Sequence, residues 1–347
     1  MKILVSALEH SANVHLSSLK KELDSDTEFV GIFSKDLGEP IVDLSALAIM
    51  GIVDAIKKLR FFFKLKDQMV ELASEVDKVL LIDSSGFNLP LAKALKKRYP
   101  EKEIIYYILP QAWAWKKKRI PVLARTIDTL ASILPFEPSY YPKEANISYV
   151  GHPLLDQITK FKTTLNEDVK KIVFMPGSRK GEITRLMPIY KEVRQKLAVK
   201  GILIIPPNFS KEKIDELYGD ISGFEVVHET YNTLYEADFA FICSGTATLE
   251  ASIIGTPLIL SYIANKFDWF IVSRLATTKY AGLANIMYDK DKNETMHPEF
   301  LQDDVTVENI LDAYKNYNRE SFLEKSQSLR EYLKNGSSKN VAEIIQR

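Results

Sequence analysis

The stretch that most constrains this chain is residues 239–262, FAFICSGTATLEASIIGTPLILSY. Phe239 to Cys243 is an apolar run of strand length, Ser244-Gly245-Thr246 is a turn of small residues, and Ala247 to Ile254 reads as a helix stopped by Gly255. Pro257 and the run Leu258 to Leu260 then begin another strand. A strand that ends in Ser-Gly-Thr and enters a helix presents unpaired N–H groups and hydroxyls at a positive helix end, a ready site for a phosphate or diphosphate. The same turn also joins strands to helices with nothing bound, so the segment alone leaves both readings open.

With 347 residues the chain is long enough for two α/β domains. Lys plus Arg and Asp plus Glu both number 46, so no overall field draws it to nucleic acid, and any basic surface is local. The single cysteine, Cys243, falls in an apolar strand, which excludes an intramolecular disulfide and metal clusters built on cysteine, and fits a reducing cytoplasm. The N-terminal run MKILVSALEHSANVHL is broken by Glu9 and His10 and is read as a first strand, not a signal peptide. No uncharged apolar run approaches the roughly 18–20 residues that span a bilayer.

Residues 2–7 read as strand one, followed by a loop from Leu8 to Asn13 and a helix holding Leu16, Leu19 and Leu23. Glu9, His10, Ser11 and Asn13 thus stand at a strand's carboxyl end, where open α/β sheets bind ligands, with helix capping the rival role for Ser11 or Asn13. Residues 47–66, LAIMGIVDAIKKLRFFFKLK, mix a wide apolar face with Lys57, Lys58, Arg60, Lys64 and Lys66. Such a helix reads either as lying on an anionic membrane or as packed on the core with its lysines in water. Phe61, Phe62 and Phe63 cannot all face one core from a helix, which favours an exposed patch.

Residues 77–83 read as the next strand with Asp83 at its carboxyl end, Ser84 to Asn88 as a loop, and Leu89-Pro90 as a helix start. Asp83 is either a cleft carboxylate or a loop brace. After a strand at 104–109, Trp113 and Trp115 stand beside Lys116, Lys117, Lys118 and Arg119, suited to a sugar or phosphate-bearing headgroup, or to anchoring the loop. A strand at 129–134 follows, and His152, between Gly151 and Pro153, is read as structural rather than catalytic. A polar, lysine-rich stretch at 157–170 leads into a second domain. That domain opens with a strand, Lys171 to Met175, then Pro176-Gly177-Ser178-Arg179 and a helix start. This matches neither the dinucleotide fingerprint nor the Walker pattern, but Arg179 is able to offset a diphosphate's charge. Strands at 201–206 and 224–227 and a helix near 230–237 lead back to the opening stretch, and the last fifty residues read as two helices. Each half reads as a doubly wound α/β sheet.

ALEHSAN, LAIMGIVDAI, LIDSSGFNLP, YYILPQAWAW, ILPFE, VGHPLLD, FMPGSRKGEI, CSGTATLEASIIGTP, LANIM and HPEFLQDD occur in the order seen in the lipid-A-disaccharide synthase family. The chain resembles that family over nearly its whole length, in a form similar to those of Helicobacter and Campylobacter. The resemblance implies a GT-B fold, two Rossmann-like doubly wound domains facing a cleft, with 1–160 taking the acceptor and membrane and 161–347 the UDP-sugar. It leaves open whether the C-terminal helices return to the first domain or are exchanged in a homodimer. It further implies inverting transfer of 2,3-diacylglucosamine from its UDP derivative to 2,3-diacylglucosamine 1-phosphate, giving a β-1,6 disaccharide and UDP. The place implied is the cytoplasmic face of the inner membrane, held peripherally through residues near 47–66, with no nucleic-acid partner, no metal and no cofactor beyond the sugar nucleotide.

Carried over residue by residue, Glu9 and Ser11 match the family's first-loop Glu and Ser, and Asp83 matches the first Asp of its Ile-Asp-Ala-Pro-Asp-Phe-Asn motif. Gly177, Ser178 and Arg179 match its Gly-Ser-Arg, Ser244, Gly245, Thr246 and Glu250 its Ser-Gly-Thr and following Glu, and Asn285 the Asn of its Leu-Pro-Asn. Two departures stand out. Ala12-Asn13 replaces Gly-Asp, and Gly86 replaces the motif's second Asp, a candidate base in the family. The implied base is therefore Asp83 or Glu9, with Arg179 and the Ser-Gly-Thr amides stabilising the departing UDP and Glu250 holding its ribose. The rival readings are another GT-B glycosyltransferase, a nucleotide-sugar epimerase, or a non-catalytic nucleotide-sugar-binding protein.

Overall fold

The computed structural model describes residues 1–43, 55–265, 269, 274 and 278–347, with the side chains of 55–58 also left aside. The chain forms two units, one made of Met1–Asp156 and Asn335–Arg347, the other of Gln157–Lys334.

In the first unit the strands are β1 (Lys2–Ser6), β2 (Glu28–Phe33), β3 (Val42–Asp43), β4 (Lys78–Ile82), β5 (Ile104–Tyr107), β6 (Thr129–Ser132) and β7 (Ile147–Tyr149). They form one sheet in the order β3-β2-β1-β4-β5-β6-β7, with every pairing parallel. The order reverses between β1 and β4. Because successive side chains alternate across a strand, Leu4, Val79, Leu81 and Tyr106 enter one core while Ile3, Val5, Leu80, Ile82 and Tyr107 enter the other. Helices Ala55–Leu72, Ser85–Arg98 and Ile120–Thr126 cover the first face, and His10–Lys20 and Ser337–Gln346 the second.

The chain's last helix is therefore a piece of the first unit. Val341 and Ile345 are fully buried there, each contributing about 1.5–3 kcal/mol of apolar burial. Asp156 fixes the returning chain by accepting the Gly336 and Ser338 N–H groups at 2.6 and 3.0 Å, and Tyr107 Oη lies 2.8 Å from Ser337 Oγ. Gly151 has φ +94°, and a Cβ there would meet the Asn335 carbonyl at 2.9 Å, so this crossing needs glycine. His152 is buried beside it, its Nδ1 accepting from the Leu154 N–H at 3.3 Å, and burial lowers its pKa to about 3.

The second unit repeats the plan. Its strands β8 (Lys171–Met175), β9 (Lys200–Ile204), β10 (Glu225–Val227), β11 (Phe239–Cys243), β12 (Leu258–Tyr262) and β13 (Glu299–Leu301) are ordered β10-β9-β8-β11-β12-β13, all parallel. Here the order reverses between β8 and β11. Cys243 is buried in this unit's core, and that burial pushes its thiol up to about 12.

Several local readings change. The helix expected after Asn13 starts at His10, and the one expected at Leu89-Pro90 starts at Ser85. Ser11 and Asn13 are thus inside a helix whose N-cap position is Glu9. The chain's end holds three helices where two were read, Val307–Lys315, Arg319–Leu333 and Ser337–Gln346, because Gly336 at φ +88° breaks the run. In the 47–66 stretch, positions 47–54 lie outside the described residues. Beyond them Leu65 and Met69 are buried, and Phe61 and Phe62 pack partly on the core. Leu59 and Phe63 remain 59% and 57% exposed, so the exposed patch is narrower than three consecutive phenylalanines suggested. Among the described residues no helix is long and apolar enough to cross a membrane.

Candidate functional site

In open parallel sheets ligands bind beyond the carboxyl ends of the strands where the order reverses. In both units most of the candidate residues follow the strands that flank that reversal, Asn285 and Glu250 excepted. At the first, between β1 and β4, Glu9 follows β1 and Asp83 follows β4. Asp83 and Ser84 take the left-handed conformation in succession, with φ 51° and 42°, a strain that non-glycine residues hold only where the surroundings over-determine it.

Those surroundings are specific. Asn88, fully buried, donates to the Ile82 and Asp83 carbonyls at 3.1 and 2.9 Å and accepts from Ser6 Oγ at 2.6 Å. Tyr106 Oη donates to the Asp83 carbonyl at 2.6 Å. Turned this way, Ser84 Oγ donates to Glu9 Oε1 at 3.2 Å. Burial, and then the charge of Glu9, raise the Asp83 carboxyl above its usual range, against a lowering bond from the Ser84 N–H. The structure thus brings Glu9 and Asp83 together. Ser11 is exposed in the first helical turn, while Asn13 is committed to the Ala7 and Glu9 carbonyls and the Ser34 N–H. At Gly86 a Cβ would meet nothing within 4 Å, so the position that carries Asp in the family motif opens on free space.

The second reversal, between β8 and β11, holds Gly177-Ser178-Arg179 after β8 and Ser244-Gly245-Thr246 after β11. Gly177 has φ +105°, and a Cβ there would lie 2.5 Å from Glu182 Oε2. Glu182 organises this loop: Oε2 accepts the Ser178 and Arg179 N–H groups, each at 3.2 Å, and Oε1 takes the Arg179 guanidinium at 3.0 Å. The Arg179 side chain is still 83% exposed. Across the reversal, helix Thr246–Ile254 begins at exposed Gly245 and Thr246 with no side-chain cap; the Thr248 N–H turns back to the Gly245 carbonyl at 3.2 Å, and the N–H groups that open a helix ordinarily lack an intrahelical partner. Ser244 Oγ makes a long bond to the Ala281 carbonyl, at 3.4 Å.

Glu250, on the same helix, has its carboxyl raised by burial and then by Glu229, whose own carboxylate accepts the Asn232 and Thr233 N–H groups. Asn285 is turned inward. It is fully buried, donates to the His297 carbonyl and Glu299 Oε1, and accepts the Met296 and His297 N–H groups. It ties helix Leu283–Lys292 to the segment 296–299, and all of its side-chain donors and acceptors are engaged there. Among the described residues no group of three or more His, Cys, Asp or Glu is placed to hold a metal ion.

Glu182, Asn88 and Tyr106 had no assigned part in the sequence reading. Glu182 carried a signal, an acid three residues after the helix N-cap. Tyr106 carried none, since it looks like any other residue of an apolar strand.

The comparisons with known proteins agree with this layout. Over the full chain, the UDP-GlcNAc 2-epimerase of Neisseria meningitidis, solved with UDP-GlcNAc, superposes with TM-score 0.65 at 11% identity, covering 100% of both chains. MurG of Acinetobacter baumannii gives 0.61 at 14%, covering 99% of each. These likenesses show the fold, two doubly wound units of the GT-B class. Sequence goes further. The lipid-A-disaccharide synthase of Helicobacter pylori (strain ATCC 700392 / 26695) is 46% identical over 353 residues, 98% of this chain and 96% of that protein. That of Campylobacter jejuni is 45% identical over 365 residues, 99% and 98%. A family model described as lipid-A-disaccharide synthetase matches residues 3–345, and the chain belongs to that family of glycosyltransferases.

Proposed function

We propose that this chain transfers 2,3-diacylglucosamine from its UDP derivative to the 6-hydroxyl of 2,3-diacylglucosamine 1-phosphate, making the β-1,6 disaccharide of lipid A and releasing UDP. Family membership supports the reaction. The residue roles rest on one observation, that Glu9 and Asp83 converge at the first sheet's reversal. A carboxylate held above its usual range is a stronger base, which favours Asp83 as the group that takes the hydroxyl proton while the oxygen attacks the anomeric carbon. Glu9 then carries the neighbouring charge.

The leaving UDP gains negative charge on its diphosphate. Since Glu182 already occupies the Ser178 and Arg179 N–H groups, the donors left for it are the Arg179 guanidinium and the open N-terminus of helix Thr246–Ile254. Gly177 and Ser178 then act by shaping the loop that presents Arg179, and Glu250 receives the ribose hydroxyls. The proposed reaction uses no metal and no further cofactor. We place the protein peripherally on the cytoplasmic face of the inner membrane, supported by exposed Leu59 and Phe63 beside exposed Arg60 and Lys64.

A mixed-micelle assay with both lipid substrates tests this. Wild type is expected to form disaccharide and UDP in equal amounts, and UDP binding without disaccharide would mean another acceptor. Arg179→Ala should lower kcat about tenfold or more. A change confined to KM would remove Arg179 from the transition state.

A further inference from the structure

On the first unit a cavity of about 580 Å³ opens between helix Ile120–Thr126 and the segment 140–144, within the range of sites for small ligands. Ile120, Ala124 and Pro142 give it apolar walls, and exposed Lys117 and Arg125 stand at it with Glu144 as the one acid. From Ala112 to Ile127 the chain carries five cations and no carboxylate. The cavity's most telling group is Tyr141. It is only 8% exposed, it lines the cavity, and its hydroxyl has no hydrogen-bond partner, whereas buried hydroxyls ordinarily have one.

The cavity is also tied to the candidate carboxylates. Lys117–Arg119 is a single 3-10 turn, and Arg119 Nη1 donates to Ser85 Oγ at 3.2 Å. Ser85 opens the helix directly after Asp83 and Ser84. An apolar pocket with cations at its mouth and one unsatisfied phenol inside matches an acyl chain that carries an anionic head and an oxygen near its start.

We propose that this cavity holds one acyl chain of the phosphorylated acceptor, with Tyr141 bonded to an oxygen at the head of the chain and Lys117 and Arg125 facing the phosphate. This rests on the acceptor reading above, and it assigns the cavity a part in chain selection.

The test is calorimetric binding of 1-dodecanoylglycerol 3-phosphate, an acyl chain joined through glycerol to a phosphate, below its micelle concentration, with dodecanol standing in for the chain and inorganic phosphate for the head. One acyl phosphate per chain is expected, with dodecanol weaker and phosphate alone undetected. Ala124→Trp, which fills the cavity, should weaken the acyl phosphate about tenfold or more, and Lys117→Gln with Arg125→Gln should weaken it by a similar factor while leaving dodecanol unchanged. Tyr141→Phe, which keeps the ring, should weaken it a few-fold. Thermal melting checks that each variant is folded, and a folded Ala124→Trp that binds the acyl phosphate as wild type does overturns the proposal. So does phosphate alone binding as tightly, which would make this an anion site. Saturable binding that Ala124→Trp abolishes, in a protein that forms no disaccharide, would keep the cavity as a lipid site and remove the acceptor reading instead.

Discussion

The two sheet reversals place candidate chemistry at equivalent points of equivalent sheets, yet they are built oppositely. Between β1 and β4 the candidate groups are carboxylates, held by a left-handed turn of two non-glycine residues and braced from beneath by Asn88 and Tyr106. Between β8 and β11 they are a guanidinium and a helix end, and the unusual backbone is at a glycine. The first spends strain and burial to change a side chain's proton affinity. The second uses fixed dipoles and a permanent cation, which need no proton exchange. A proton acceptor and an anion receiver call for different physics, and in the proposed reaction each unit would supply one of them.

Separate damage to each site tests that division. The largest effect is expected from Asp83→Asn, which keeps the side chain's shape and should lower kcat by about 10²–10⁴ while UDP affinity stays within error. A fall in UDP affinity of the same size would mean the two sites do not have separate roles. Next comes Gly177→Ala. A Cβ at φ +105°, 2.5 Å from Glu182 Oε2, should destabilise the fold by about 1–3 kcal/mol and weaken UDP, read by urea unfolding and calorimetry. Unchanged UDP affinity in a folded variant would remove the 177–182 loop from donor binding.

The smallest effect is a shift in pH dependence. The Asp83 carboxyl is raised, so if it is the base, activity falls with decreasing pH through a limb lying above the usual carboxylate range. Glu9→Gln removes a charge that contributes to that rise, so the limb of kcat/KM for the acceptor should move to lower pH with kcat largely kept. Collapse of kcat in Glu9→Gln would make Glu9 the base.

The strand frame was legible because its central strands are unbroken apolar runs, such as KVLLI and FAFIC, each followed by a turn of small or polar residues. Of the four edge strands only Glu225–Val227 was read; Val42–Asp43, Ile147–Tyr149 and Glu299–Leu301 are two or three residues long and only partly buried, so they carry too little pattern to see. The six-residue inner strand Glu28–Phe33 was missed as well, its apolar run being interrupted by Gly31. Helix starts were misplaced where the usual markers mislead: Ser84 precedes its helix in a left-handed conformation without side-chain capping, and Pro90 falls inside the helix it was expected to open. At the sites, residue types could be read but not their orientation. Asn285 looked like a ligand contact and is turned wholly inward, while Glu182, which was given no part, holds a loop together.

The return of Ser337–Gln346 to the first unit bears on how the protein is made. The second unit is one continuous stretch, Gln157–Lys334, whereas the first is interrupted by it. A chain leaving the ribosome can complete the second unit while the first still has an uncovered face, where Val341, Ala342 and Ile345 will later pack against Leu16 and Leu19. Domain order along the chain and order of completion are thus reversed. The half that begins first finishes last, and its apolar face stays open to other chains until the final helix emerges.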